Sequence, residues 1–184
     1  MDVDKEHKIV RVDTVEKLNL TIQSLVGDYI HELYYDTLEG EQDDRQRKGL
    51  EKKPEQPLSL DKKQNIMGTY FLRDLFLWAV LMNYPDMAKV LLSFMDYRIC
   101  PALIATRIFK QYHRKAPYGD LKKSYETSMK YFEQYAIDCL RQCGNHDTDK
   151  ACEIILQRNE LYGYVTCLQV KKFFLAFQTY GVYL

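Results

Sequence analysis

The stretch LRDLFLWAVLMNYPDMAKVLL, Leu72–Leu92, decides the fold class. Its strictly apolar run, Leu75 to Met82, is far short of the roughly 20 residues a membrane-spanning helix needs. No strand alternation interrupts it. From Tyr70 to Met82 the text is apolar all round apart from Arg73 and Asp74, which predicts a helix packed on several sides by neighbours. Asn83 and Tyr84 end that helix. Pro85 suits the first turn of the next one, because its fixed φ is already helical and its missing N–H would be unpaired there. Two antiparallel helices meeting at a tight turn follow, with Trp78 as a central core member. Truncating a core Trp to Ala costs roughly 3 to 5 kcal/mol.

Working towards the carboxy terminus, the same punctuation recurs. Pro101 can open a helix to about Lys115, Pro117 to Gly119 make a turn, and Asp120 can cap a long helix that closes at Gly144. Its buried face would use Leu121, Tyr125, Phe132, Ala136, Cys139, Leu140 and Cys143, leaving Lys122, Lys123, Lys130, Glu133 and Arg141 wet. A further pair, Thr148 to about Arg158 and Thr166 to about Thr179, joins across Gly163. Helix pairs that cannot each bury their apolar face alone predict an all-α chain of stacked antiparallel pairs, α-solenoid-like.

Working towards the amino terminus, Val15, Leu18, Ile22, Leu25, Val26, Tyr29, Ile30 and Leu33 recur at helical spacing and predict one amphipathic helix over 14–33. Asp13 with Glu16 fits a capping-box start, and Thr14 is the alternative cap. Between the two helical regions, Glu39 to Gln64 mixes both charge signs with glycine and proline and reads as a mobile charged connector.

At 184 residues the chain is long enough to bury roughly 70% of its unfolded surface without disulfides or metal. Lys plus Arg number 26 and Asp plus Glu number 26, so net charge gives no reason to expect nucleic acid or an acidic membrane surface as partner. The start, MDVDKEHKIV, lacks the basic-then-apolar order of a secretion signal. With five cysteines, an odd number, this points to reduced thiols and cytosolic exposure.

Chemistry has little raw material. Cys139, Cys143, His146 and Cys152 could be weighed as zinc ligands, but Cys139 and Cys143 stand at i and i+4 on an apolar helix face, where packing is the simpler use. Four histidines, no strand–turn–helix around a nucleophile and no glycine-rich phosphate cradle lead us to expect neither enzyme nor cofactor. A local basic patch does exist: Arg107, Lys110, Arg114 and Lys115, followed by Lys122 and Lys123, meet the single acid Asp120. It reads either as a solvated helix end meeting its own dipole or as a contact for a partner or phosphate. Fifteen tyrosines and eight phenylalanines serve core and interface equally well.

The pattern D-L-x-x-W-A-V-L-x-x-x-x-x-M-A, carried by Asp74, Leu75, Trp78, Ala79, Val80, Leu81, Met87 and Ala88, resembles the late cytosolic melastatin homology region of the transient receptor potential melastatin cation channels. Val15 to Tyr29 is similar to the helix opening that region, and Ala102 to Lys110 to another of its helices. Tyr131, Phe132, Glu133, Ala136 and Cys139, then Thr166, Cys167 and Leu168, follow in the family's order. The resemblance implies a helix over 1–38, a linker over 39–65, a helical-repeat region over 66–169 and a divergent tail over 170–184. It also implies homo-tetrameric, calcium-permeable channel subunits as partners, a place on the cytoplasmic side of the membrane, and no ion conduction by this chain alone, since pore helices are missing. After Gln169 the text VKKFFLAFQTYGVYL leaves the family pattern, and the expectation is a truncated splice form, a partial gene model or a fragment. The rival expectation is an autonomous cytosolic helical adaptor, or a short isoform that modulates full-length channel assembly.

Overall fold

The computed structural model describes residues 14–34 and 60–170. Asp13, most of the connector and the tail beyond Val170 lie outside them, as does the rest of the helix expected to run to Thr179. The described residues form α1 (Val15–Val26), α2 (Leu60–Leu81), α3 (Pro85–Ser93), α4 (Ile99–Lys115), α5 (Asp120–His146), α6 (Thr148–Leu156), a 3-10 turn (Glu160–Tyr162) and α7 (Cys167–Val170). They contain no strand beyond an isolated bridge between Asn159 and Val165, so the chain is all-α there.

Local chemistry sets the boundaries. Thr14 caps α1, its hydroxyl accepting from Lys17 N at 3.3 Å. The helix stops at Val26 rather than running on to Leu33, because Gly27 adopts φ 146°. Ile30 and Leu33 are still buried, so the helical spacing marked the right residues while the backbone left the helix. α2 starts at Leu60, inside the stretch read as connector. It ends in a Schellman turn: Tyr84 N donates to Ala79 O at 2.8 Å, Asn83 N to Val80 O at 3.1 Å, and Asn83 takes the left-handed φ of 58°. Pro85 then opens α3 as expected. α4 closes where Pro117 forces Ala116 into an extended conformation, ψ 140°. α5 begins at Asp120 behind Gly119 and passes Gly144 to end at His146.

The core is shared by nearly every element and gathers on α4, which is buried from Cys100 to Thr106 and again at Ile108 and Phe109. α4 and α5 run antiparallel: Phe109 stacks on Phe132 with centroids 5.7 Å apart, while Tyr112, further along α4, meets Tyr125, earlier on α5, at 5.5 Å. Tyr125, Phe132, Ala136 and Leu140 are buried as expected, with Leu121, Cys139 and Cys143 half-buried at the margin. Ser128 joins them, placed on the same face by helical spacing. A smaller apolar cluster of Leu140, Ala151 and Ile155 seats α6. Phe76, Leu77, Ala79 and Val80 are the inward residues of α2.

Candidate functional site

The inward turn of α2 has a corollary on its other side. Met67, Phe71 and Trp78 lie on one helical face and point to solvent, Phe71 being 64% and Trp78 47% exposed. On α3, Met87 and Val90 share a face with Phe94 just past the helix end, and all three are exposed, Phe94 by 71%. The two helices adjoin at both ends. At one end Trp78 and Tyr84 pack with ring centroids 5.6 Å apart across the Schellman turn. At the other, Gly68, Leu72, Phe94 and Tyr97, together with Arg73 and Asp96, line a cleft of about 170 Å³. So many large apolar side chains exposed on two adjoining helices suit an interaction surface.

Trp78 is therefore not the central core member that its residue type suggested. From Tyr70 onward α2 is apolar nearly all round, so composition could not tell which side faces the neighbours, and Phe76 and Val80 took the inward positions. Trp78 instead supplies the apolar contact that accompanies a Schellman turn. Met87 is likewise half-exposed. Of the other positions in the pattern, Ala79 and Ala88 are fully buried, Leu81 packs against the core and Leu75 is half-buried.

Asp74 belongs to a polar knot behind the apolar face. Arg73 is only 6% exposed, and a buried guanidinium must find charge and acceptors. Its Nε and Nη2 donate to Asp74 Oδ1 at 2.8 and 2.7 Å, and Nη1 donates to Leu161 O at 3.0 Å. The rings of Tyr34 and Tyr70 face the guanidinium at 5.2 and 4.9 Å. Tyr34 OH donates to the same Asp74 oxygen at 3.0 Å, and burial followed by the Asp74 charge pushes the phenol well above its ordinary range. Asn19 on α1 fixes Tyr34 from behind, its Nδ2 donating to Tyr34 O at 2.7 Å while its Oδ1 accepts from Leu33 N and Tyr34 N. The knot joins α1, α2 and the 3-10 turn. Arg73, Tyr34 and Asp74 bond to one another and Arg73 and Asn19 to backbone carbonyls, which suits holding a shape.

The basic patch is divided by the fold. Arg107 is used internally: its Nε donates to Val26 O at 3.2 Å, a terminal carbonyl of α1 that also accepts from Tyr29 OH at 2.8 Å. Lys110, Arg114 and Lys115 are exposed, the last two in the final turn of α4 where the helix dipole favours cations. Beside them Tyr118 is 96% exposed, and Lys122 Nζ lies 5.1 Å from its ring centroid. Cys139, Cys143, His146 and Cys152 are placed on α5 and α6, and among the described residues no three His, Cys, Asp or Glu side chains are grouped to hold a metal. Among those residues no helix is long and apolar enough to cross a membrane. The polar knot was not anticipated. Arg73 and Asp74 were the only charged interruptions between Tyr70 and Met82, and that was the available signal.

Residues 3–173 match the TRPM2-like domain family. The chain is 27% identical over 160 residues to human transient receptor potential cation channel subfamily M member 5, covering 85% of this chain and 13% of that protein. It is 26% identical over 99 residues to the mouse subfamily M member 2, covering 54% and 7%, and 27% identical over 101 residues to the Nematostella vectensis subfamily M member-like 2, covering 53% and 6%. The chain thus spans 13% or less of the length of these relatives. With a match running through both described regions and the helices they contain, the chain belongs to the TRPM2-like domain family.

Proposed function

We propose that this chain is a non-catalytic helical assembly and coupling segment of a melastatin-type cation-channel subunit, acting on the cytoplasmic side of the membrane and packing against neighbouring cytosolic domains and other subunits. The observation that carries the reading is the set of large apolar side chains that α2 and α3 leave exposed, Met67, Phe71, Trp78, Met87, Val90 and Phe94, on helices anchored by the core and by the Arg73 knot. Burial of such a face gives affinity roughly in proportion to the area removed from water. The kinship with subfamily M channels supports a neighbouring part of a channel as what covers it. Ion conduction is left to other parts of such a channel.

Trp78, the only tryptophan, reports on this face directly. In sedimentation velocity the chain is expected to self-associate as concentration rises, with a blue shift of Trp78 emission. Phe71→Glu with Phe94→Glu should make it monodisperse at an unchanged melting temperature. A wild-type chain that stays monomeric, with Trp78 emission fixed at a water-exposed position, would favour the autonomous adaptor. Lys110, Arg114 and Lys115 are the second contact we propose, for an acidic partner surface or a phosphate. Binding there should fall steeply with salt and vanish in Arg114→Ala with Lys115→Ala; salt-independent binding removes it.

A further inference from the structure

The cleft of about 170 Å³ between Gly68 and Phe94 has a chemistry of its own. Its walls come from α2, from residues 94–97 between α3 and α4, and from the 3-10 turn. Three aromatic residues, Phe94, Tyr97 and Tyr162, line it together with a single carboxylate residue, Asp96. Phe94 and Tyr97 are mostly exposed, whereas Tyr162 is buried, its hydroxyl donating to the thioether of Met95, another lining residue, at 3.8 Å. Charge decides what such a cleft can hold. Arg73, the one basic residue in its lining, is already balanced: Asp74 accepts from Nε and Nη2, and Leu161 O from Nη1. Asp96 is exposed and makes no ion pair among the described residues. One negative charge beside three aromatic residues is thus left without a counterpart.

We propose that this cleft binds a small alkylammonium cation, its nitrogen head held among Phe94, Tyr97 and Tyr162 and its charge facing Asp96. The electron-rich faces of aromatic rings attract cations, and quaternary ammonium groups are a common ligand of such arrangements. A carboxylate at the edge adds direct Coulomb attraction. The other ligand classes fit less well. An anion would meet Asp96, and a hard metal ion needs more oxygen ligands than one carboxylate supplies, no three His, Cys, Asp or Glu side chains being grouped among the described residues. Drug-sized ligands fill roughly 300 Å³ or more, so the cleft admits a head group and little else. The cation can come from a free molecule or from a lysine side chain, since both carry the same head. This proposal goes beyond the channel-assembly reading and does not depend on it.

The test follows the Met95 methyl resonance of the dilute 184-residue chain during titration with choline chloride, against sodium chloride at matched ionic strength. A saturable shift is expected with choline, and its uncharged tert-butyl isostere should bind about tenfold more weakly. Asp96→Asn should weaken choline about threefold to fivefold. Phe94→Leu with Tyr97→Leu should abolish the saturable shift, and because these positions are exposed the melting temperature should hold. Tighter binding of N-acetyl-lysine methylamide than of choline would identify a lysine side chain as the source of the cation; the reverse order would identify a free molecule. The proposal falls if the uncharged isostere binds as well as choline, if Met95 responds to choline only as it does to sodium chloride, or if Asp96→Asn leaves choline affinity unchanged. The first two comparisons need no variant to fold.

Discussion

Residue by residue, burial and partner count decide what a side chain is worth, and residue type alone misleads. Phe76 is fully buried between α2 and α5, meeting Phe132 at 6.4 Å, so Phe76→Ala should cost about 3 to 5 kcal/mol in chemical denaturation. Trp78→Ala, on the outer face, should cost only about 1 to 2 kcal/mol, the loss of a half-exposed packing contact. An equal loss in the two variants would place Trp78 inside after all. Arg73 presents the opposite case, a charged residue worth more than its type suggests. Arg73→Leu leaves Leu161 O without its donor and Asp74 with Tyr34 OH alone, and should cost about 2 to 3 kcal/mol, while Tyr34→Phe removes one hydrogen bond and should cost about 1 kcal/mol. A double-mutant cycle between them should show coupling, since both side chains meet on Asp74 Oδ1. Additive losses would mean the knot is only a geometric coincidence.

Helix ends were legible in the sequence wherever a special residue fixed them. Pro85 opens α3, Pro117 closes α4 through Ala116, and Asn83 turns the chain between α2 and α3. Each acts through its own backbone, so no distant information is needed. Gly27 was readable in principle, yet the apolar spacing continued past it and hid the break. Gly163 shows what distance adds. It takes a left-handed φ of 66°, its carbonyl accepts from His31 N at 3.1 Å, and a Cβ there would run into the His31 carbonyl. Gly163→Ala thus suffers both backbone strain and a clash with α1's trailing loop, and should lower stability by about 2 to 3 kcal/mol. Thermal melts of the variant would check this, and an unchanged midpoint would mean the loop and the 3-10 turn do not pack as described. Arg107 belongs to the same lesson: its partner, the last turn of α1, could not be found from its own neighbours in sequence.

For the molecule as a whole, the buried tyrosines set a stability limit at alkaline pH. Burial, then the neighbouring Tyr125, pushes Tyr112 from 10.0 to about 12, with its hydroxyl donating to Leu81 O at 2.9 Å, and Tyr34 and Tyr162 are also raised. The folded state therefore keeps protons that the unfolded chain releases. Stability should be level below pH 10.0, where Tyr in the unfolded chain is still neutral, and decline as pH climbs from there towards about 12. Melting temperature against pH, read beside tyrosinate absorbance, checks it: a set of tyrosines should ionise only together with unfolding. The all-helical character, the order of the helices and most of their ends were determined by the sequence alone, because periodicity, proline and caps act within a turn or two of chain. Which side of α2 turned inward was decided only in three dimensions. From Tyr70 onward its surface was apolar nearly all round, and the choice rested on the fit to α4 and α5, which left Phe71 and Trp78 outside and brought Arg73 to the carbonyl of Leu161.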